Sequence, residues 1–497
     1  MVTAFQQRRK EPVSPGVVAT ASAEATDAAT QIFAQGGNAM DAAVAAAWAL
    51  CVCEPSGSGL GGHTVLLHRS SDGAFSVIDG QSLAPATASL ENIASREQRA
   101  GYRATTVPST PATLGYAQNK FGVLPSDRVF RPAIRLAENG FTVTRLHRRQ
   151  LLWTLALLKA SPSARALLLR DGNPPEVGEL FRQPALARTL RCLAAQGTRD
   201  FYAGQTAAKI VRDMERNGGL IEAQDLATAD VPIERQPISM EYRGHNIVTV
   251  PFPYGGRRLL SALQALKSLW SETSTGGYDQ WYTAIASATR ETLAATWKKR
   301  GLCAERGGET THLCVADGQG NIVSLTQSIQ SLFGAKVGNA ELGFLYNNYL
   351  CTCPRSPHPS QLRGRCRPRS NVAPTVVLKS GKPVLVTGAA GSRRIVSSLL
   401  QTISGLLDLG LTAEQAIATP RVHALASGRI WIEAPAATPQ LLEAFAQLYA
   451  GARIKPALSF KMGAVQAIQF HDDGRVMGVA DPRRQGSATS LRAGWPI

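Results

Sequence analysis

Apolar residues alternate with polar or small ones after Thr310, at Leu313 and Val315, and the alternation resumes at Ile322 and Leu325 beyond a Gly-rich turn at residues 317–320. A period of two broken by such a turn predicts a β-hairpin. Three more hairpins follow from the same pattern. They cover residues 64–78 with a turn at 71–73, residues 375–386 with a turn at Ser380-Gly381, and residues 465–479 with a turn at 472–474. Helical spacing of three and four marks residues 22–35, and Asn38 with Asp41 three residues later predicts a capped start for a second helix through Leu50. That second helix is small and apolar nearly all round, which predicts burial against other backbone. From roughly residue 127 to residue 299 the chain reads as mainly helical, with helices over 128–139, 146–158, 185–195, 206–217, 258–270 and 278–299. A further helix is predicted over 392–409, with shorter ones near Ala413 and Leu441. Hairpins in both halves, separated by long helices, point to antiparallel sheets covered by helices, an α+β architecture.

The chain has 497 residues, 44% of them hydrophobic, enough for a large core. Lys and Arg number 53 against 36 Asp and Glu, a net charge of +17. Aromatics are only 6%, and no zinc-finger spacing, RNA-binding signature or long basic run accompanies that charge, so a basic enzyme with anionic substrates is a better reading than a nucleic-acid-binding module. No apolar run is long enough to span a membrane. The polar start, with Gln6-Gln7-Arg8-Arg9-Lys10 and no apolar stretch of the secretory kind, predicts a cytoplasmic protein. Eight cysteines over this length fit reduced thiols.

The chemistry suggested by the central hairpin lies at its first residue. Gly307-Gly308-Glu309 would deliver Thr310 to the edge of a sheet. Were the bond between Glu309 and Thr310 cut, Thr310 would carry a free α-amine, with an ordinary pKa of about 7.7–8.0, beside its own hydroxyl. Such an amine can act as base for that nucleophile. Alone, Thr-Thr-His is a weak signal that reads first as a β-branched pair in a strand. The Gly-rich loop at residues 56–62 lacks the Lys that a phosphate loop needs, so close backbone packing is its expected role.

Several stretches recur in one order: residues 36–43 with Gly59-Leu60-Gly61-Gly62, residues 201–204 and 217–219, Thr310-Thr311-His312, residues 343–348, residues 387–393, Thr419-Pro420-Arg421 and Asp481-Pro482-Arg483. In that order they resemble the γ-glutamyltransferases, or glutathione hydrolases, over about residues 17–490. The resemblance implies a four-layer αββα sandwich of the N-terminal-nucleophile type. It also implies a precursor that cuts itself between Glu309 and Thr310 into segments 1–309 and 310–497, intertwined in one globular unit. Thr310 would be the nucleophile, Ser328 the supporting hydroxyl, and the Gly391-Ser392 amides the oxyanion hole. Gln330, Ser370 and Asn371 fall at substrate-binding positions. Partners would be a small acidic amide and water or an amino acceptor, with no cofactor or metal; homo-oligomerisation is left open.

Two departures stand out. Gln81 occupies the place where the family carries an arginine for the glutamyl α-carboxylate, and Thr352 the place of an aspartate for the α-amine. A neutral amide does not replace a bidentate guanidinium. One or more of Arg363, Arg365, Arg367, Arg369 and the Arg393-Arg394 pair, Arg367 in particular, would then hold the carboxylate; the alternative reading of this stretch is a solvated basic loop. Alternatives are an amidase for a non-glutamyl acidic amide and a non-catalytic relative. Cys351, Cys353, His358 and Cys366 could in principle ligate zinc, against a lid of free thiols. His312 and His423 are expected to be structural. The stretch before Thr310 is short, which bears on how efficiently the chain cuts itself.

Overall fold

The computed structural model describes residues 16–80, 82–229, 231–271, 277–297, 308–425 and 427–491. The strand Gly308–Asp317 is buried along its whole length, and its two faces meet different partners. Leu313 and Val315 join a core with the helices Ala23–Phe33 and Ala39–Cys53. Cys314 and Ala316 join a core with a second sheet. The alternation seen in the sequence therefore separates two apolar environments, not core from solvent, as befits a sheet covered on both sides.

The first sheet has seven strands, ordered Ser487–Ala488, Gly16–Thr20, Gly308–Asp317, Ile322–Ser331, His63–Arg69, Phe75–Asp79 and Ile233–Arg235. The second, also of seven, runs Ser490–Leu491, Val476–Ala480, Ala464–Phe470, Lys382–Ala390, Thr375–Lys379, His245–Thr249 and Ile238–Tyr242. All the pairings are antiparallel. Helices Gly256–Leu269, Tyr278–Trp297 and Arg394–Leu407 cover the outer face of the second sheet. The layers are helix, sheet, sheet, helix, the expected αββα sandwich. Strands from before and after residue 309 are intermixed within the first sheet, so the two segments share one core.

The four hairpins stand where the sequence puts them, and Asn38 and Asp41 form the expected capping box. Asp41 also accepts from the amides of Val123 and Leu124, tying the helix start to the neighbouring loop. The described residues of 127–299 are mainly helical, as expected, but the reading missed a pair of strands among the helices. Ile238–Tyr242 and His245–Thr249 form a hairpin, with Arg243 and Gly244 at φ 51° and 69°. Two successive left-handed residues make the tight turn that matches strand twist; it carries the outer edge of the second sheet. Among the described residues no helix is long and apolar enough to cross a membrane.

Candidate active site

Residue pairing in the central hairpin is regular from Ile322 opposite Ala316 to Gln327 opposite Thr311, then shifts so that Gln330 faces Glu309. The bulge places Ser328 and Ile329 across from Thr310. Such an insertion re-aims a side chain at the cost of local pairing, and Gln330 takes up the turn at φ 80°. Thr310 Oγ1 donates to Ser328 Oγ at 3.3 Å, and Ser328 Oγ donates to the Glu309 carbonyl at 2.7 Å. The Gln330 amide donates to the same Ser328 oxygen at 2.9 Å. A continuous line of hydrogen bonds thus runs from the Thr310 hydroxyl to the carbonyl of the bond that precedes it.

Glu309 is buried, and its carboxylate is held by Arg484 and by the Thr310 amide at 3.2 Å. Arg484 also donates to the Thr310 carbonyl at 3.0 Å, with Glu54 lying 3.6 Å away. Burial pushes the Glu54 carboxyl up to about 7 against the opposing pull of Arg484. The Gly-rich loop packs closely, as its composition suggests. A side chain at Gly57 would press on the Glu309 side chain, and one at Gly62 on the Ser328 carbonyl. The Gly391-Ser392 turn, with φ of 123° and 58°, opens the helix Arg394–Leu407. It packs against Gly308, where an added Cβ would lie 2.6 Å from Ser392 Oγ. The segment assigned to the oxyanion hole therefore stands two residues from Thr310 in the strand. A helix start there favours negative charge.

Ser370 and Arg367 line a small cavity with His63, Ser82, Tyr254 and Tyr349. Tyr349 links this cavity to the hairpin, because its hydroxyl bonds both Ser328 and Ser370; burial pushes that hydroxyl up to about 12. Arg367 is paired with buried Asp79, which Arg235 also meets at 3.2 Å and to which Tyr254 donates. Two guanidiniums around one carboxylate leave this wall net positive. Asn371 turns away, accepting from Arg258. The Gln330 amide group reaches Cys351 Sγ at 3.6 Å. Gln81 and the stretch just before Gly308 lie outside the described residues.

His312 is buried between the sheets with Nδ1 2.8 Å from Thr326 Oγ1 and Nε2 3.3 Å from Cys314 Sγ, and burial lowers its pKa to about 3. His423 is similarly buried against Ser397 at 2.8 Å. Both are structural, as expected. Cys353 and Cys366 sulfurs lie 3.6 Å apart in a small apolar cluster under the 350–366 loop. Among the described residues no group of three or more potential ligands is placed to hold a metal ion. Sequence reasoning missed Arg484, Glu54, His63 and Tyr349. Arg484, His63 and Tyr349 left a trace, each as the residue that follows a singled-out stretch, and Glu54 left none.

A family model described as gamma-glutamyltranspeptidase matches residues 25–303 and 286–491. A glutathione hydrolase proenzyme of Escherichia coli (strain K12) is 30% identical, with 97% of this chain and 92% of that protein covered. An acylase ACY 1 proenzyme of Pseudomonas sp. (strain V22) is 32% identical, covering 97% and 94%. The crystal structure of a cephalosporin acylase from Bacillus halodurans superposes with a TM-score of 0.83 over 98% of both chains at 24% identity, a likeness of fold. Matched almost end to end by the family model and by relatives at this level of identity, the chain belongs to the gamma-glutamyltranspeptidase family.

Proposed function

We propose that this protein is a self-processing amidohydrolase or acyltransferase that cleaves γ-glutamyl or related acidic amides through an acyl ester on Thr310. The observation that carries the reading is the line from Thr310 Oγ1 through Ser328 Oγ to the Glu309 carbonyl. As the Thr310 oxygen attacks the Glu309 carbonyl carbon, its proton passes to Ser328, and the Ser328 proton passes to the carbonyl oxygen. As that proton moves on from the carbinol oxygen to the Thr310 nitrogen, the carbonyl reforms and the C–N bond breaks, leaving Glu309 esterified to Thr310 Oγ and the Thr310 amine free. Water releases Glu309 as a new carboxyl terminus, giving segments 1–309 and 310–497.

In turnover the same hydroxyl attacks a substrate amide, with its own amine accepting the proton. Backbone amides of the Gly391-Ser392 turn receive the oxyanion, an interaction of about 2.7–4 kcal/mol in comparable sites. The amine leaves with the returned proton, and water or an amino acceptor takes the acyl group. Gln330, Ser370 and Arg367 stand around the cavity or its approach. Proenzyme names among the relatives support the processing step. Gln81, in place of a cationic anchor, favours acidic amides beyond the standard γ-glutamyl pose.

Intact-mass analysis of the purified protein tests the reading. Two fragments meeting at Glu309 and Thr310 are expected, with a single uncut and inactive chain for Thr310→Ala. Turnover of acyl donors by uncut Thr310→Ala protein would sink it.

A further inference from the structure

In the uncut chain the Glu309 side chain occupies a prepared place. It lies against the Gly57 backbone, and its carboxylate is met by Arg484, whose side chain is only 2% exposed. Arg484 Nε and Nη2 are buried with no hydrogen-bond partner. Arg394, also buried, acts on the Glu309 carboxylate through space, and its Nε likewise has no partner. With Glu54 3.6 Å from Arg484 as the other carboxylate there, this donor capacity still exceeds what the Glu309 side chain uses, and a buried guanidinium that loses its nearest anion is costly.

The chemistry of the acyl group gives the place a meaning. Three carbons separate the Glu309 carboxylate from the Glu309 carbonyl that Thr310 attacks. The same three-carbon spacing separates the free carboxylate from the reacting carbonyl in a glutaryl or γ-glutamyl group. Both acyl groups end on one atom, Thr310 Oγ, so their carboxylates have equal reach from it. We propose that Glu309 is an internal stand-in for the acyl donor, and that Arg484, supported by Arg394, binds the carboxylate of a five-carbon dicarboxylic acyl group once self-cleavage removes Glu309.

The proposal rests on Thr310 as acyl carrier. It supplies the cationic anchor that Gln81 does not provide. Before cleavage the site is filled, so the precursor excludes substrate; afterwards Arg484 remains fixed by the Thr310 carbonyl, next to the reacting atom.

The test compares glutaryl-p-nitroanilide with its terminal carboxamide analogue on the self-cleaved enzyme, and measures glutarate binding by calorimetry. Arg484→Gln is expected to lower kcat/KM at least tenfold more for the carboxylate donor than for the carboxamide. It should also abolish glutarate binding, and uncut Thr310→Ala should not bind glutarate. If Arg484→Gln fails to self-cleave, Glu309→Gln/Arg484→Gln restores an uncharged pair and yields the same Thr310 terminus for assay. An equal loss on both donors would make Arg484 merely structural and overturn the proposal. Selectivity that survives in Arg484→Gln but vanishes in Arg367→Ala would overturn it in favour of the Asp79 cavity. Glutarate binding is read without turnover, so failure of Thr310 as nucleophile would show separately, as activity persisting in Thr310→Ala.

Discussion

Ser328 is the residue on which the proposed self-cleavage turns, since its oxygen contacts the Thr310 hydroxyl and its proton faces the Glu309 carbonyl. Ser328→Ala removes both links, whereas Ser328→Thr keeps the hydroxyl. We expect Ser328→Ala to slow the appearance of the two fragments by about 10²–10³-fold, the scale of a lost oxyanion donor, and Ser328→Thr to cleave at a rate within tenfold of wild type. A timed denaturing gel after refolding reads the rates. Equal rates for all three proteins would remove Ser328 from the mechanism. Thr310 was legible in the sequence because its chemistry is local, a hydroxyl and its own amine. Arg484 was not, because it meets Thr310 from 174 positions away and carries no pattern of its own.

Among the elements, the central hairpin and its opposing strand Lys382–Ala390 set the distance between nucleophile and oxyanion turn. Gly388 lies where that strand passes His312, and an added Cβ would come 2.1 Å from the imidazole ring. The ring has nowhere to go, held as it is between Thr326, Ser324 and Cys314. Gly388→Ala should therefore cost about 1–3 kcal/mol through overpacking, read as a lower urea midpoint at unchanged slope. An unchanged midpoint would mean the sheets separate more easily than their packing implies. Hairpins with Gly-containing turns were legible because turn and alternation reinforce each other. The hairpin over 238–249 also had its signal, Arg243-Gly244 between alternating residues, but it lay among strong helical patterns. The bulge at Ser328 had none, because register depends on the partner strand.

For the whole molecule, burial of polar groups between layers makes stability depend on pH. His63, His312 and His423 are held neutral by burial, with folded pKa values lowered to about 4, 3 and 3. In the unfolded chain each takes up a proton near 6.5. Their contribution is thus complete above about pH 6.5 and is lost as the pH falls toward 3–4, by up to about 1.4 kcal/mol per pH unit for each ring. Glu54 acts in the opposite sense, its raised pKa losing stability as the pH climbs toward about 7. With His68 and His147 also lowered to about 4 by burial, the rings outweigh the raised carboxyls of Glu54, Asp41 and Asp213, so urea unfolding should give a clearly lower stability at pH 5 than at pH 7.5. A flat profile would mean these imidazoles are already protonated in the fold.

The sequence by itself determined the helices with their caps, the hairpins, and the hydroxyl residue at the head of the central strand. Each of these is written in neighbours a few positions apart, through side-chain periodicity, turn geometry and capping. The tertiary structure decided which groups surround that hydroxyl. Stacking two seven-stranded sheets brings the Gly391-Ser392 turn to Gly308 and Arg484 to Glu309, and a one-residue bulge in the pairing puts Ser328 and Ile329 opposite Thr310. These meetings join positions as far apart as Glu309 and Arg484, and they arise from strand order, register and layer packing, which no local pattern encodes.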